Sequence, residues 1–154
     1  MFDVKTTPYH YVECGLDNVL VYGVEPFIDD DGEEVVTIKN INGLHKAIAL
    51  TIIGRNGLMS GKELRFLRTE MGMTQGELAR YIHKEPISVG RWERGENPID
   101  PTDETLIRLL AKERLELALD TSVQELTGYS VESANKPPIQ IDGSNPEDYR
   151  PIAA

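Results

Sequence analysis

The chain has 154 residues, of which 40% are hydrophobic, 27% charged and 6% aromatic, which is ordinary for one globular domain or two small ones. A chain of this length can bury a modest core, so it needs no structural metal or disulfide to fold. Its single cysteine, Cys14, excludes an internal disulfide and a zinc site of four thiolates. The net charge of −10 argues against a protein that binds nucleic acid through its overall charge.

The sequence predicts a cytoplasmic protein without a membrane anchor. The longest apolar run, residues 47–53, is too short to span a bilayer. Residues 1–5 lack the basic start and the apolar run of a secretory signal. The presence of only one cysteine also fits a reducing compartment.

The first part of the chain is predicted to form a small unit of strands followed by a helix. Residues 19–22 and 35–38 are runs of strand length, rich in β-branched residues, and residues 9–12 can add a third strand. Between the two runs, the Asp31-Gly32 step suits the positive φ of a hairpin turn. From Asn42 onwards apolar residues recur at every fourth position, which is typical of a helix.

A series of helix signals follows, and it predicts four short helices joined by tight turns. Capping boxes begin the first two helices at Ser60 and Thr74, and Pro86 suits the first turn of the third. Thr102 or Asp103 can cap the fourth helix. The inward-facing residues predicted for these helices are Leu64, Leu67, Met71, Leu78, Ala79, Ile82, Val89, Trp92, Leu106, Ile107, Leu109 and Leu110.

The last 40 residues give weaker signals. Residues 115–135 are predicted as a helical extension, with a break near Asp120 and a further helix over residues 122–133. Residues 136–154 contain four of the nine prolines and little periodicity. They are therefore predicted to form an extended, partly disordered tail.

The strongest pattern in the chain is that of a helix-turn-helix, two short helices joined by a tight turn. The residues that carry it are Thr74, Gln75, Leu78 and Ala79, followed by Val89, Trp92, Glu93 and Gly95. The segment resembles the Cro/repressor-like family of DNA-binding regulators, also called the XRE type, at every position of its pattern. Together with the strand-like runs of the first part, this resemblance predicts an α+β, mainly α fold, in which a β-hairpin and helix unit (residues 1–57) precedes a λ-repressor-like bundle (residues 58–114). It also implies that the helix over residues 86–94 binds double-stranded DNA.

Three residues are predicted to face the DNA bases. If Val89 and Trp92 are buried, then Ile87, Ser88 and Arg91 lie on the opposite face of their helix. Arg91 can donate two hydrogen bonds to a guanine, a contact worth about 1–3 kcal/mol of discrimination. Ser88 can bond a base or a phosphate, and Ile87 can contact a thymine methyl group. The alternative is that Arg91 is an ordinary solvated surface residue.

Four further residues are predicted to flank the groove. Gln75 resembles the family glutamine that contacts phosphate and braces the recognition helix. Thr74, Lys84 and Arg94 are candidate contacts to the DNA backbone. For Thr74 and Gln75 the alternative role is helix capping alone.

The segment departs from the family pattern at two places. His83 stands in the turn where the family commonly has a glycine, so the turn is less standard. Glu85 and Pro86 stand where many relatives place polar residues that read bases. Because proline has no N–H to donate, base reading at that end is expected to be weak or apolar.

The order of strands, helix and helix-turn-helix also resembles the MqsA/YgiT-like antitoxins. Those proteins usually hold a structural zinc through two Cys-x-x-Cys pairs, and the single Cys14 cannot supply that site. His10, Cys14 and His45 form an incomplete set of ligands, so no metal or cofactor is predicted. No catalytic motif is present either, which predicts a protein that is not an enzyme.

The negative charge belongs to the two ends of the chain. Residues 58–112 contain nine basic and nine acidic side chains, whereas residues 1–57 contain four and nine, and residues 113–154 three and eight. The main hypothesis is a sequence-specific DNA-binding regulator, a repressor that binds a palindromic operator as a homodimer. The alternatives are an antitoxin whose acidic N-terminal part binds a basic toxin, and a protein-interaction module that does not bind DNA.

Overall fold

The computed structural model describes residues 7–133 and 136–152, so residues 1–5, in which no export signal was found, lie outside the described residues. Within these ranges the fold is α+β and mainly α, as predicted. The elements in chain order are β1 (Tyr9–His10), β2 (Val19–Tyr22), β3 (Phe27–Ile28), β4 (Glu34–Val35), α1 (Ile41–Ile53), α2 (Gly61–Glu70), α3 (Gln75–Tyr81), α4 (Pro86–Glu93), α5 (Pro101–Arg114), α6 (Val123–Tyr129), β5 (Ile139–Asp142) and β6 (Arg150–Pro151). None of the described helices is long and apolar enough to cross a membrane.

Four strands form a sheet that joins the two ends of the chain. Its order is β1-β2-β5-β6, with β5 parallel to β2 and both edge strands antiparallel to their neighbours. Val19, Val21, Ile139 and Ile141 are fully buried on one face of the sheet. The prediction of a partly disordered tail is therefore wrong for residues 139–142, which form an inner strand. Their pairing partner is distant in sequence, so no local hairpin signal marks them.

The two strand-like runs of the first part of the chain do not pair with each other. Of residues 35–38 only Val35 lies in a strand, and β4 pairs instead with β3 in a separate two-stranded hairpin. Gly32 adopts a φ of 81° at its turn, as the Asp31-Gly32 step predicts. The Asp29 carboxylate accepts hydrogen bonds from the N–H groups of Asp31 and Glu33 at 3.0 and 2.9 Å, and these bonds stabilise the turn.

Helix α1 packs against the sheet and against α5. Leu44, Ile48 and Ile52, the residues of its predicted stripe, are all buried, which confirms the helical spacing. The helix begins after Asn40, whose side chain accepts a hydrogen bond from the N–H of Gly43 at 3.2 Å. Buried residues of this part and of the helices that follow form one continuous core, while the predicted division at residue 57 stays a prediction.

The predicted starts of the next three helices are confirmed. Ser60 and Thr74 each form a complete capping box with the glutamate three residues later, and Pro86 is the first residue of α4. The predicted start of α5 is wrong, because the helix begins at Pro101 with Asp100 as its N-cap. Proline has the φ that a first helical position needs, and this places the start ahead of the polar residues chosen from the sequence.

The later helical predictions are corrected in length and in burial. Helix α5 ends at Arg114, and α6 spans Val123–Tyr129 instead of continuing to residue 133. At the end of α6 the chain turns back towards the start of α2. The carbonyl groups of Tyr129 and Val131 accept hydrogen bonds from the N–H groups of residues 57 and 58, and the helix ends there. Leu106, predicted to face inward, is 41% exposed.

The face that α5 buries is largely polar. Glu104 and Arg108 are both fully buried and form an ion pair in which Nε of Arg108 lies 2.6 Å from Oε1 of Glu104. The remaining nitrogens of Arg108 donate to the carbonyl groups of Ile53, Arg55 and Gly57 at 2.7–3.2 Å. The other oxygen of Glu104 accepts the N–H of Met59 at 2.6 Å. This pair thus connects α5 to the end of α1 and to the segment that leads into α2.

Candidate nucleic-acid interface

Helices α3 and α4 are joined by a tight turn in which His83 is the left-handed residue. His83 has a φ of 57°, the left-handed conformation that glycine adopts most easily. The N–H of Lys84 donates to the carbonyl of Ala79 at 2.9 Å, which is the closing hydrogen bond of a Schellman motif. The turn therefore has the geometry that the family obtains with glycine, although the left-handed conformation costs more free energy for a histidine.

We expect the substitution His83→Gly to raise the free energy of unfolding by about 0.5–1 kcal/mol. Glycine removes the cost of the left-handed conformation, and this gain exceeds the extra entropy that glycine loses on folding. Urea denaturation of both chains measures the difference. Glu116→Gly is the matched comparison, because Glu116 follows the C-cap of α5 and also has a left-handed φ, of 52°. Its replacement should raise the free energy of unfolding by a similar amount. A His83→Gly chain less stable than the wild type would contradict the assignment.

Helix α4 has one buried face and one exposed face, as the spacing predicts. Val89 and Trp92 are buried in the core. On the other side Ile87 is 57% exposed, Arg91 is exposed and Ser88 is partly exposed. In the described part of the chain no carboxylate lies within ion-pair distance of Arg91. These three side chains therefore form a short mixed surface, with an apolar group, a hydroxyl and a guanidinium group available to a ligand.

A network of hydrogen bonds fixes the orientation of α4. The side chain of Glu93 is 5% exposed and receives Nε and Nη2 of Arg68 at 2.6 and 2.9 Å. Nε2 of Gln75 donates to the same carboxylate at 3.2 Å, so Gln75 does contact the helix that it is predicted to brace. Nη1 of Arg68 donates to the carbonyl of Met73 at 2.9 Å. The carboxylate of Glu93 thus holds α2, α3 and α4 together.

Sequence reasoning missed Arg68, although a signal was present. Arg68 follows Leu64 by four residues and lies beside Leu67, and both leucines are buried. A charged residue next to the inward stripe of a helix needs a buried partner. Glu93, the glutamate of the family pattern, is available as that partner. The hydrogen bond to Glu93 raises the pKa of Arg68, so this guanidinium group stays charged.

The start of α2 touches the end of α4 directly. A Cβ atom on Gly61 would collide with the carbonyl oxygens of Trp92 and Glu93, so only glycine fits there. Gly90, inside α4, lies against the side chains of Gln75 and Arg94. Two glycines without unusual backbone angles therefore allow the close approach of three helices.

The predicted flanking residues are all engaged within the protein. Oγ1 of Thr74 accepts the N–H of Glu77 at 3.1 Å as an N-cap. Nζ of Lys84 lies 3.7 Å from Asp100 and 3.5 Å from Asp103. Arg94 pairs with Glu96 at 3.0 Å, and this hydrogen bond holds the pKa of Glu96 below its usual value. Each carboxylate that pairs with Lys84 or Arg94 would compete with a phosphate for the same cation.

The two histidines of the incomplete metal set, His10 and His45, have other partners. His45 lies between Tyr11 and Glu70, with its ring nitrogens 2.8 and 2.7 Å from their oxygens, and burial raises the pKa of Tyr11 to about 12. Nε2 of His10 lies 2.7 Å from the carbonyl of Asp17. Across residues 7–133 and 136–152, no three side chains of His, Cys, Asp or Glu come together as a metal site would require.

Comparison with known proteins identifies the helical part. Residues 64–112 match the family model described as Helix-turn-helix, which covers about a third of the chain. No curated protein and no solved structure matches the chain. Residues 64–112 are thus similar to a helix-turn-helix domain of the XRE type, a kind of domain that binds DNA in transcription regulators.

Proposed function

We propose that this chain is a cytoplasmic, sequence-specific repressor that binds its operator through α4. The observation that carries the proposal is the two-sided character of α4. Its buried side is held by Val89, Trp92 and the carboxylate of Glu93, while its other side exposes Ile87 and Arg91. A braced helix with an exposed guanidinium group is what reading of the major groove requires.

Each exposed group of α4 has a distinct role in this proposal. Arg91 donates two hydrogen bonds to O6 and N7 of a guanine, and Ile87 contacts the methyl group of a thymine. Ser88 bonds a base edge or a phosphate oxygen. Thr74 and Gln75, at the start of α3, lie against the DNA backbone, where free N–H groups of a helix favour a phosphate. Pro86 offers no N–H, so the start of α4 reads shape and apolar surface only.

A single helix of this size reads only a few base pairs, so we propose that two copies bind a palindromic site as a homodimer. Two-fold symmetry of the protein would then match the symmetry of the operator. The contact between copies is assigned either to α5 and the segment that follows it or to the N-terminal unit. A sedimentation measurement with and without operator DNA tests the stoichiometry.

The test of the function is a binding titration against the DNA upstream of the chain's own gene, with a scrambled duplex of equal length as control. We expect preferential binding to one segment, and an affinity that falls steeply with salt as counterions return to the phosphates. Equal affinity for both duplexes would contradict sequence-specific recognition. Absence of binding even at low salt would leave only the protein-interaction module.

We expect removal of the carboxylates beside Lys84 to strengthen non-specific DNA binding. The double substitution Asp100→Asn and Asp103→Asn frees Nζ of Lys84 for a phosphate, which should steepen the slope of log K against log salt by about 0.9. Titration of a scrambled duplex at several salt concentrations measures this slope. Adding Lys84→Gln to the double variant should abolish the gain. An unchanged slope in the double variant would show that Lys84 does not reach the backbone.

A second candidate function, that of an antitoxin, is favoured by the β3–β4 hairpin. Phe27 and Ile28 are 52% and 67% exposed, although they are large apolar residues in a strand. The carboxylates of Glu25, Asp29, Asp30, Asp31, Glu33 and Glu34 surround them in the sequence. An exposed apolar strand of a two-stranded hairpin with acidic neighbours suits a basic protein partner.

Coexpression with the product of a small, basic neighbouring gene tests this second function. Relief of that product's toxicity by the wild-type chain, but not by a Phe27→Ser and Ile28→Ser variant, would support it. The paired control is Val131→Ser, which alters an exposed apolar residue outside the hairpin. A neighbouring gene whose product is not toxic would contradict it.

A further inference from the structure

A cleft borders the C-terminal end of α4, outside the face assigned to base reading. Its volume is about 780 Å³, and its walls come from α2, from the loop after β1 and from the end of α4. Three cations line it, namely Lys62, Arg65 and Arg94. The cleft therefore joins the end of α4 to two basic side chains, Lys62 and Arg65, that are not among the DNA contacts predicted from the sequence.

Arg65 has a defined place between two contacts of α2 with α4. Residues four and three apart on a helix share a face, so Gly61, Arg65 and Arg68 form one row. Gly61 lies against the backbone at the end of α4, and Arg68 bonds the carboxylate of Glu93. Arg65 lies between them and is exposed. Its helix is thus anchored on both sides, and its side chain lines the cleft.

The acidic residues of the cleft have hydrogen-bond partners other than Arg65. The carboxylate of Glu70 bonds His45, that of Glu93 bonds Arg68 and Gln75, and that of Glu13 bonds Tyr9. Lys62 pairs with Asp17 at 3.0 Å, where both side chains are exposed. In the described part of the chain no carboxylate lies within ion-pair distance of Arg65. Arg65 is therefore the cation of this cleft that is free to bind an anion.

We propose that this cleft receives a phosphate group of the DNA backbone, with Arg65 as its main contact and Lys62 and Arg94 beside it. The inference rests on the proposed DNA binding and extends the protein's footprint from α4 to α2. A guanidinium group suits this ligand, because its parallel N–H groups match two phosphate oxygens. The contact orients the protein on the duplex and carries no sequence information.

The experiment compares Arg65→Gln with the wild type on a specific and on a scrambled duplex over a range of salt. We expect the affinity to fall roughly three- to tenfold on both duplexes, and the salt slope to decrease by about 0.9. Lys46→Gln is the matched control, since Lys46 is an exposed cation on α1 that does not line the cleft. Thermal unfolding should show equal stability for the three chains.

Arg91→Ala, measured in parallel, separates failure of this inference from failure of the proposed function. If Arg91→Ala loses discrimination while Arg65→Gln behaves like Lys46→Gln, only the phosphate contact of the cleft is overturned. If the wild type binds neither duplex, both are overturned. Binding of inorganic phosphate that Arg65→Gln abolishes, together with unchanged duplex affinity, would assign the cleft to a free anion and overturn the proposal.

Discussion

Replacement of Arg108 by methionine is expected to lower the free energy of unfolding by about 3–5 kcal/mol. Loss of one partner from a buried ion pair leaves the other charge without compensation, here the carboxylate of Glu104. The carbonyl groups of Ile53, Arg55 and Gly57 would also lose their donors, and each buried unpaired group adds to the cost. A loss of this size is a large part of the stability of a whole domain, so the variant should unfold at a much lower urea concentration.

Arg114→Met is the matched control for this experiment. Arg114 belongs to the same helix, is exposed and makes a single hydrogen bond, to the carbonyl of Met71 at 3.3 Å. Its replacement should change stability by less than about 1 kcal/mol. A loss of under 1 kcal/mol for Arg108→Met as well would show that the polar face of α5 does not hold the helices together.

The substitution Arg91→Ala is expected to weaken binding to the operator by about 1–3 kcal/mol, a factor of roughly 5 to 150. The loss arises because a bidentate contact to one guanine disappears, so discrimination at that base pair should disappear with it. The stability of the folded chain should change little, since Arg91 is exposed. Fluorescence anisotropy on the operator and on single base-pair variants measures both effects.

Arg91→Lys distinguishes base reading from a simple charge effect. Lysine keeps the positive charge but lacks the planar fork that bonds two acceptors at once. We expect this variant to retain the salt slope of the wild type and to lose much of its discrimination. If Arg91→Ala instead weakens all duplexes equally and reduces the salt slope by about 1, then Arg91 contacts a phosphate and not a base.

The helix-turn-helix could be predicted from sequence because its signals are local. The capping boxes at Ser60 and Thr74 and the proline at the start of α4 each lie within a few residues of the helix they begin. The spacing of Val89 and Trp92 likewise defines which face of α4 is free, and the structure places both in the core. Local rules of this kind do not depend on the rest of the fold.

The long-range features that escaped prediction depend on pairing between distant residues. Strand β5 pairs with β2 across more than a hundred residues, and its two buried isoleucines are too few to form a periodic pattern. No sequence signal marks Arg108, because long-range partners such as the carbonyl of Gly57 cannot be read from spacing. The contact of Gln75 with Glu93 was anticipated only through the family resemblance.

The charge of the chain has a different meaning once the fold is known. The net charge of −10 does not describe every part of the surface. Arg65 and Arg91 are exposed, and in the described part of the chain no carboxylate lies within ion-pair distance of either. The neighbouring cations Lys84 and Arg94 are held by Asp100, Asp103 and Glu96. Non-specific affinity for DNA is therefore expected to be weak, and specificity depends on a small number of free cations.

Amide chemical shifts of the full chain, measured with and without operator duplex, test whether α4 and the start of α3 contact DNA. We expect the largest shift changes at residues 74–75 and 86–94, with a smaller group near residue 65. Changes confined to the β3–β4 hairpin, or absent from α4 at saturating duplex, would contradict it.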